Sequence, residues 1–112
     1  MKAVIKFAVS YKDIRKHLPP MYNDVIPASL KKSENVVNIV CFPYGTGKVV
    51  TSKYVQSAYK KVSDSSLPTV FFGDCFTLEA RTLILNNGDS FYFIDGYDWT
   101  DETWNNVHNG NW

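Results

Sequence analysis

Apolar residues occupy every second position near the start of the chain. These positions are Ala3, Ile5, Phe7 and Val9. A period of two places alternate side chains on opposite faces of a strand, so the four are predicted to share one buried face. The spacing then becomes helical. Ser10 can cap a helix whose buried face carries Tyr11, Ile14 and Leu18, and Pro19-Pro20 would end it because a residue before proline avoids the α region.

The middle of the chain alternates between strand-like and helix-like patterns. Residues 35–43 carry apolar side chains on both faces, which is typical of a central strand, and residues 69–72 form a second apolar run. A turn at 44–47 would let residues 48–51 return as a hairpin partner of the strand over residues 35–43. A helix capped by Thr51 or Ser52 is predicted next. Its apolar face would consist of Val55, Ala58, Tyr59 and Val62.

The strongest turn signal in the chain is Asn87-Gly88. This dipeptide between two β-rich runs is typical of a two-residue hairpin, because both turn positions need a positive φ. We therefore predict one strand over residues 81–86 and another over residues 90–94. In that register, Ile84 lies opposite Phe91 and Leu83 lies opposite Tyr92.

Together these elements predict an α+β fold in a single globular domain, residues 1–112. Five to six strands would form an antiparallel or mixed sheet, and about three short helices would cover one face of it. The last helix would begin at Thr100, because Asp101 and Glu102 suit the positive end of a helix dipole. The length of 112 residues favours one domain, since two would each have too small a core.

Charge is divided unevenly along the chain, although the net charge is only +1. Residues 1–61 contain eleven Lys and Arg and three acids, a balance of +8, whereas residues 62–112 contain one Arg and eight acids, a balance of −7. Such asymmetry indicates an interaction surface, unless folding mixes the two halves in space. If the halves stay separate, the basic half of one copy could bind the acidic half of another and form a homo-oligomer.

Several features favour a cytoplasmic protein, in a cell or an infected host cell. No apolar run is long enough for a membrane helix, and Lys6 interrupts the first apolar stretch, which argues against a signal peptide. Cys41 and Cys75 are expected to be reduced, buried thiols. The excess of Lys over Arg, with frequent Asn, Tyr and Phe, is typical of AT-rich genomes, including those of phages, viruses and mobile elements.

One candidate anion site lies in the glycine-rich turn. Its residues are Gly45, Thr46, Gly47 and Lys48. Backbone N–H groups in such a turn can hold an anion, although the spacing is not that of a phosphate-binding loop and a strand is predicted to follow. A plain hairpin turn explains the same residues.

A second candidate site lies in the acidic, aromatic-rich C-terminal segment. We predict that it binds a partner through Asp95, Tyr97, Asp98, Trp99, Asp101, Glu102 and Trp104. Aromatic side chains that stay exposed favour protein interfaces, and the acids would repel phosphates. Two other interpretations remain: the aromatic residues could belong to the core, and the acids could hold a divalent cation, although no cation-binding motif is present.

We therefore predict a non-catalytic protein-binding module, an inhibitor or adaptor whose partner has a basic surface. The alternative is a nucleotide or nucleic-acid binder that uses the basic N-terminal half and the turn Gly45–Lys48. Its surface would combine Lys12, Arg15, Lys16, Lys31, Lys32, Lys53, Lys60 and Lys61, if both helices pack on the same sheet face. An enzyme is the least favoured class, because His17 and His108 fit no catalytic spacing. No catalytic residue, metal ion or cofactor is predicted.

Overall fold

The computed structural model describes residues 2–42 and 49–93. Four strands form one sheet: β1 (Val4–Ser10), β2 (Val36–Cys41), β3 (Thr69–Gly73) and β4 (Ser90–Phe93). Two α-helices follow β2 and β3: α1 (Ser52–Lys61) and α2 (Leu78–Asn86). Three 3₁₀ helices connect β1 to β2: Tyr11–His17, Pro20–Asp24 and Leu30–Lys32.

The sheet is mixed and its strands follow the order of the chain, β1-β2-β3-β4. β1 pairs antiparallel with β2, whereas β2, β3 and β4 are parallel to one another. The predicted α+β class with a mixed sheet is therefore confirmed. The strand number differs, because the described residues form four strands in the sheet where five to six were predicted.

Alternate residues of the two central strands belong to two separate cores. Val37 and Ile39 of β2 pack with Val70 and Phe72 of β3 on one face of the sheet. Val40 of β2 and Phe71 of β3 pack on the other face. The apolar pattern on both faces of residues 35–43 therefore arises because each face of the sheet is covered.

The two faces are covered by different kinds of helix. Ile14, Leu18 and Tyr22, from the region of the first two 3₁₀ helices, complete the first core, and we call this face the 3₁₀ side. Val55 and Ala58 of α1 and Ala80 and Ile84 of α2 complete the second core, on the face that we call the α side. The prediction that all helices cover one face is wrong.

A β-bulge interrupts the predicted alternation in β1. Lys6 pairs with Ile39 but Val9 pairs with Val37, so residues 7 and 8 both lie opposite Asn38. Ala8 adopts a φ of 55°, and its N–H donates to Asn38 Oδ1 over 3.1 Å. The extra residue reverses the direction of the side chains. Ile5 therefore packs on the α side, Val9 is buried on the 3₁₀ side, and Phe7 is 55% exposed.

The helix that follows β1 is a 3₁₀ helix. Tyr11, Ile14 and Leu18 are buried as their spacing predicts. Ser10 does not cap the backbone; its hydroxyl donates instead to Asp13 Oδ2 over 3.0 Å. Two backbone bonds, from Tyr11 N to Asn35 O and from Lys12 N to Ser33 O, attach its first turn to the chain that enters β2.

The predicted hairpin around Asn87-Gly88 is wrong, because residues 78–86 form helix α2 and β4 is parallel to β3. The dipeptide ends that helix. Gly88 has a φ of 77°, and its N–H donates to Leu85 O while Asp89 N donates to Ile84 O. This pair of bonds is the Schellman motif, in which only the glycine position needs a positive φ. Ile84 and Leu83 therefore do not face Phe91 and Tyr92 across a hairpin.

Helix α1 confirms the prediction made from its spacing, with Thr51 at its N-cap and Val55, Ala58 and Val62 buried. The return strand predicted over residues 48–51 is wrong in its described part. Val50 forms only an isolated parallel bridge with Phe76 and does not pair with β2. Helix α1 nevertheless begins at Ser52, directly after the predicted cap Thr51.

Candidate functional site

A groove runs between helices α1 and α2 on the outer surface of the α side. Its volume is about 440 Å³. Ser52 and Gln56 of α1 line one wall, and the other wall consists of Leu78, Glu79, Thr82, Leu83 and Asn86 of α2. The groove lies above the layer of Val55, Ala58, Ala80 and Ile84, with which α1 and α2 cover the sheet.

Helix α2 carries apolar residues on its outer face as well as its inner face. Leu78 is 67% exposed and Leu85 is 59% exposed, while Ala80 and Ile84 are fully buried. Leu78 and Leu85 lie seven residues apart, which places them on the same stripe of the helix. A surface helix normally carries polar residues there, so an exposed leucine stripe beside a groove is typical of a binding surface.

A second cavity, of about 410 Å³, lies where the C-terminal ends of α1 and α2 approach the start of β4. We call it the Asp89 pocket. Its lining consists of Tyr59, Val62, Ser63, Ser65, Ser66, Leu67, Pro68, Thr69, Asn87, Gly88 and Asp89. Most of these residues belong to two connections, the α1–β3 loop and the α2–β4 turn, and both are on the same edge of the sheet.

Three hydrogen bonds hold the Asp89 carboxylate in place. Thr69 N donates to Oδ1 over 2.9 Å, and Tyr59 Oη and Asn87 Nδ2 donate to Oδ2 over 2.6 and 2.8 Å. Asp89 reaches these donors because the Schellman turn places it directly after α2 and before β4. Burial raises the pKa of the Tyr59 hydroxyl, and its bond to Asp89 raises that pKa further. The phenol therefore stays protonated and remains a donor.

The opposite wall of the Asp89 pocket is ordered by a buried amide. Asn38 is fully buried in β2, and its Nδ2 donates to Ser65 Oγ over 2.9 Å. Ser65 Oγ also accepts from Leu67 N over 3.2 Å, which shapes the loop before β3. The same Asn38 side chain accepts from Ala8 at the bulge of β1. One amide therefore joins the edge strand, the central strand and the pocket wall.

The groove and the Asp89 pocket follow each other along the two helices. On α1, Gln56 lines the groove and Tyr59, almost one turn later, lines the pocket. On α2, Asn86 lines the groove and Asn87 lines the pocket. We call the groove and the pocket together the α1–α2 seam. An apolar stripe adjoins one part of it and a fixed carboxylate lies at its end.

The basic residues of the N-terminal half do not form the single surface that was predicted. Lys12, Arg15 and Lys16 lie on the 3₁₀ side, where they line a cavity of about 380 Å³ together with Asn23. The lysines of α1 lie on the α side, because their helix packs on the opposite face of the sheet. Lys12 pairs with Glu34 over 3.7 Å and Lys16 with Asp13 over 3.4 Å, which weakens the positive field further.

The two predicted binding sites lie outside the described residues. The anion-site residues Gly45, Thr46, Gly47 and Lys48 fall in the segment 43–48. The partner-binding residues Asp95, Tyr97, Asp98, Trp99, Asp101, Glu102 and Trp104 follow β4, as does the helix predicted from Thr100. Both sites therefore stay predictions.

The two cysteines differ in environment. Cys41 at the end of β2 is buried as predicted, and burial raises the pKa of its thiol to about 12. Cys75 is exposed in the connection between β3 and α2, so the prediction of a second buried thiol is wrong. It lies beyond the end of β3, because that strand stops at Gly73. Both thiols are free.

Metal-holding side-chain groups and membrane-spanning helices are both absent from residues 2–42 and 49–93. That part of the chain contains no group of three or more His, Cys, Asp or Glu side chains placed to hold a metal ion. None of its helices is long and apolar enough to span a membrane.

Comparison with known protein families, curated proteins and solved structures gives no match for this chain. The geometry of the molecule is therefore the basis for assigning a function.

The sequence did not predict that Asp89, Tyr59, Leu78 and Leu85 belong to a candidate site. The sequence does contain a signal for the two leucines. Apolar residues at 78, 80, 83, 84 and 85 would be spread around a helix, and the consecutive residues 83–85 do not alternate as in a half-buried strand. The hairpin interpretation of Asn87-Gly88 hid it. No local sequence pattern predicts the hydrogen bonds of Asp89, because its donors Thr69 and Tyr59 are 20 and 30 residues away in the chain.

Proposed function

We propose that this chain is a non-catalytic protein-binding module, an inhibitor or adaptor, that binds its partner along the α1–α2 seam. The observation that carries the proposal is the exposure of Leu78 and Leu85 on one stripe of α2. Covering both side chains would contribute about 2–4 kcal/mol of favourable binding free energy, from the usual value of apolar burial. The adjoining groove offers the partner a concave surface rather than a flat one.

The expected partner presents basic as well as apolar side chains. Residues 62–112 have a balance of −7, and within the described part Asp64 and Asp89 lie at or beside the far end of the seam. We propose that the acidic aromatic segment, with Asp98, Trp99 and Trp104, extends this surface beyond β4. Opposite charges on partner and module would speed their encounter and select against acidic partners.

The test is affinity capture from the natural cellular background, followed by reconstitution with the purified partner. The unaltered chain is compared with the double variant Leu78→Ser/Leu85→Ser. The matched control is Phe7→Ser, which removes an equally exposed apolar side chain from the bulge of β1. We expect a partner that the control binds at least tenfold more tightly than the double variant. Equal binding by both variants would refute the seam as the docking surface.

A second copy of the chain is the other occupant that the test must identify. Opposite charges on the two halves of the sequence predict a salt-sensitive homo-oligomer. Sedimentation of the chain and of Leu78→Ser/Leu85→Ser at low and high salt separates the two cases. An oligomer that the double variant loses would assign the seam to self-association. Replacing Trp99 and Trp104 by Ala would then show whether the C-terminal segment contributes to either interface.

A nucleotide or nucleic acid is the second candidate ligand, and one observation favours it. Lys12, Arg15 and Lys16 share a cavity on the 3₁₀ side, and no ion pair involves Arg15 in the described part of the chain. Binding there should weaken steeply with salt and with Arg15→Ala, but not with Lys53→Ala on the opposite face. A loss on Lys48→Ala would bring the Gly45–Lys48 turn into the same site.

The proposed setting of this module is the cytoplasm, where a reducing environment keeps thiols free. The exposed Cys75 thiol makes this testable, because labelling of intact cells with a membrane-impermeant maleimide should not modify it.

A further inference from the structure

We propose that the Asp89 pocket binds the ammonium or guanidinium group of a lysine or arginine side chain that the partner presents. This inference rests on the proposed function and names the chemistry of one end of the same surface. The carboxylate that would accept the cation is already oriented, and the rest of the pocket is suited to an aliphatic stem.

The Asp89 carboxylate can accept one more hydrogen bond. Asp89 is half-buried, and no cationic side chain of a described residue forms an ion pair with it. Its three donors are a backbone N–H, a phenol and an amide, all of which are neutral. A carboxylate has about four lone-pair directions, so one remains for a further donor. A charged donor would gain the most there, because charge-assisted hydrogen bonds are the strongest class.

The C-terminal ends of two helices contribute to the electric field inside the Asp89 pocket. The C-cap residues of α1 and α2 are Val62 and Asn87, and both line the cavity. The C-terminal end of an α-helix carries a partial negative charge, so both helices add to the field of the carboxylate. Lys60 and Lys61 lie in the last turn of α1 but are exposed and do not line the pocket. The field therefore favours a cation and disfavours an anion.

The remaining lining of the Asp89 pocket suits an aliphatic stem that ends in a cationic group. Val62, Leu67 and Pro68 supply apolar surface against which the methylene groups of a lysine or arginine can pack. Ser63 and Ser66 supply hydroxyl oxygens that can accept from the other hydrogens of the cationic group. Asn86 lines the groove and the next residue, Asn87, lines this cavity. A partner segment whose apolar side chains lie beside Leu78 and Leu85 can therefore place its basic residue here.

The first experiment titrates the ¹⁵N-labelled chain with Nα-acetyl-lysine methylamide and with Nα-acetyl-arginine methylamide. The uncharged probe is Nα-acetyl-norleucine methylamide, which has the lysine stem without the ammonium group. We expect saturable shifts of the Thr69, Asn87 and Asp89 amide signals with at least one cationic probe. Affinity for norleucine should be at least tenfold lower. Equal responses to the charged and uncharged probes would overturn the proposal.

The variants separate cation binding from a purely structural role of Asp89. Asp89→Asn should weaken binding of the cationic probe at least tenfold, whereas Asp24→Asn, which changes an exposed acid on the 3₁₀ side, should leave its affinity unchanged. Because Asp89→Asn also disturbs three hydrogen bonds and can unfold the chain, Ser66 provides a second route. Ser66→Lys adds a cation to the pocket and should block the probe, whereas Ser66→Gln, which adds similar bulk without the charge, should weaken its binding much less. Retained affinity in Ser66→Lys would contradict the proposal.

The outcome also distinguishes this inference from the proposed function. If the partner requires Leu78 and Leu85 but no cationic probe binds, the pocket is structural and the module remains. If the probes bind but no partner depends on the two leucines, the pocket stands and the proposed docking surface fails. If both hold, Asp89→Asn or Ser66→Lys should also weaken the purified partner.

Discussion

The two sides of the sheet differ in how completely they bury their apolar residues. On the 3₁₀ side, Ile14, Leu18 and Tyr22 are at most 1% exposed, although they come from a stretch of short 3₁₀ helices and turns. On the α side, the more regular helix α2 leaves Leu78 and Leu85 mostly exposed. Regular secondary structure and complete burial are therefore uncoupled in this molecule.

The difference follows from how each side is attached to the sheet. The segment between β1 and β2 is attached by backbone bonds at Tyr11 and Lys12, and Ile14, Leu18 and Tyr22 pack in one core. Helix α2 has more apolar residues than a single core-facing stripe can accommodate. The 3₁₀ side thus buries its apolar residues almost completely, and the α side keeps apolar surface exposed.

The largest expected effect is on the 3₁₀ side. Phe72→Ala removes a fully buried ring that lies 5.2 Å from the Tyr22 ring and 5.6 Å from the Tyr92 ring, measured between centroids. The free energy of unfolding should fall by about 3–5 kcal/mol. Leu85→Ser on the α side should change it by less than about 0.5 kcal/mol. Urea titration measures both, and similar losses would remove the contrast between the two sides.

The next effect tests the Asp89 network. Tyr59→Phe removes the 2.6 Å bond to Asp89 Oδ2, and the loss should be about 1.5 kcal/mol of unfolding free energy at neutral pH. Tyr54→Phe, on the same helix, is the matched control because no hydrogen bond of its hydroxyl is present among the described residues. An equal effect of the two substitutions would show that the network adds no stability to the α side.

The same bond predicts a dependence on alkaline pH. The pKa of Tyr59 is raised above its ordinary value of 10.0, first by burial and then by the bond to Asp89. The folded chain therefore holds this proton more tightly than the unfolded chain. The stabilisation is fully present below pH 10 and is lost as the pH rises above it towards the higher folded value. Unfolding followed from pH 8 to 12 should show a shallower decline in Tyr59→Phe.

A smaller effect tests the Schellman turn that positions Asp89. Gly88→Ala places a side chain at a φ of 77°, with no atom within 4 Å of the new Cβ. The cost is therefore backbone strain alone, about 1 kcal/mol after allowing for the stiffer unfolded chain. Asn87→Ala, at a φ of −84°, carries no such strain, and its smaller cost should be limited to the exposed hydrogen bond from Asn87 Nδ2 to Asp89. A two-residue hairpin would need positive φ at both positions and would reverse this expectation for Asn87.

The smallest effect is on β1 and has the opposite sign. Ala8 has a φ of 55°, where a Cβ is unfavourable, so Ala8→Gly should stabilise the folded chain by about 0.5 kcal/mol. Thermal unfolding of Ala8→Gly and of Ala28→Gly, an exposed alanine, provides the comparison. Destabilisation by both substitutions to the same extent would argue against strain at the bulge.

Patterns that depend on neighbouring residues predicted much of the described fold. The spacing of Val55, Ala58 and Val62 predicted α1, and the apolar runs around Val40 and Phe71 predicted β2 and β3. These predictions succeeded because burial on one helical stripe, or on both faces of a strand, leaves a period in the sequence. Of the functional site, the sequence predicted only the acidic character of the second half.

Predictions failed where one local pattern suits two structures. Asn87-Gly88 fits a hairpin turn and a helix C-cap equally well, and residues 81–86 are short enough to read as either strand or helix. The parallel pairing of β4 with β3 decides between them, because a parallel neighbour needs a crossover and α2 provides it. The bulge at Ala8 likewise depends on Asn38, which is 30 residues away.

The sequence by itself determined the α+β class, the helix α1, the central strands and the division of charge between the halves. Each of these depends on residues that are close together in the chain. Only the tertiary structure decided which side of the sheet each helix covers. That arrangement separates the basic residues, and it places Leu78 and Asp89 on one seam with Leu85 beside it. Packing on opposite faces and hydrogen bonds across 20–30 residues leave no period in a sequence.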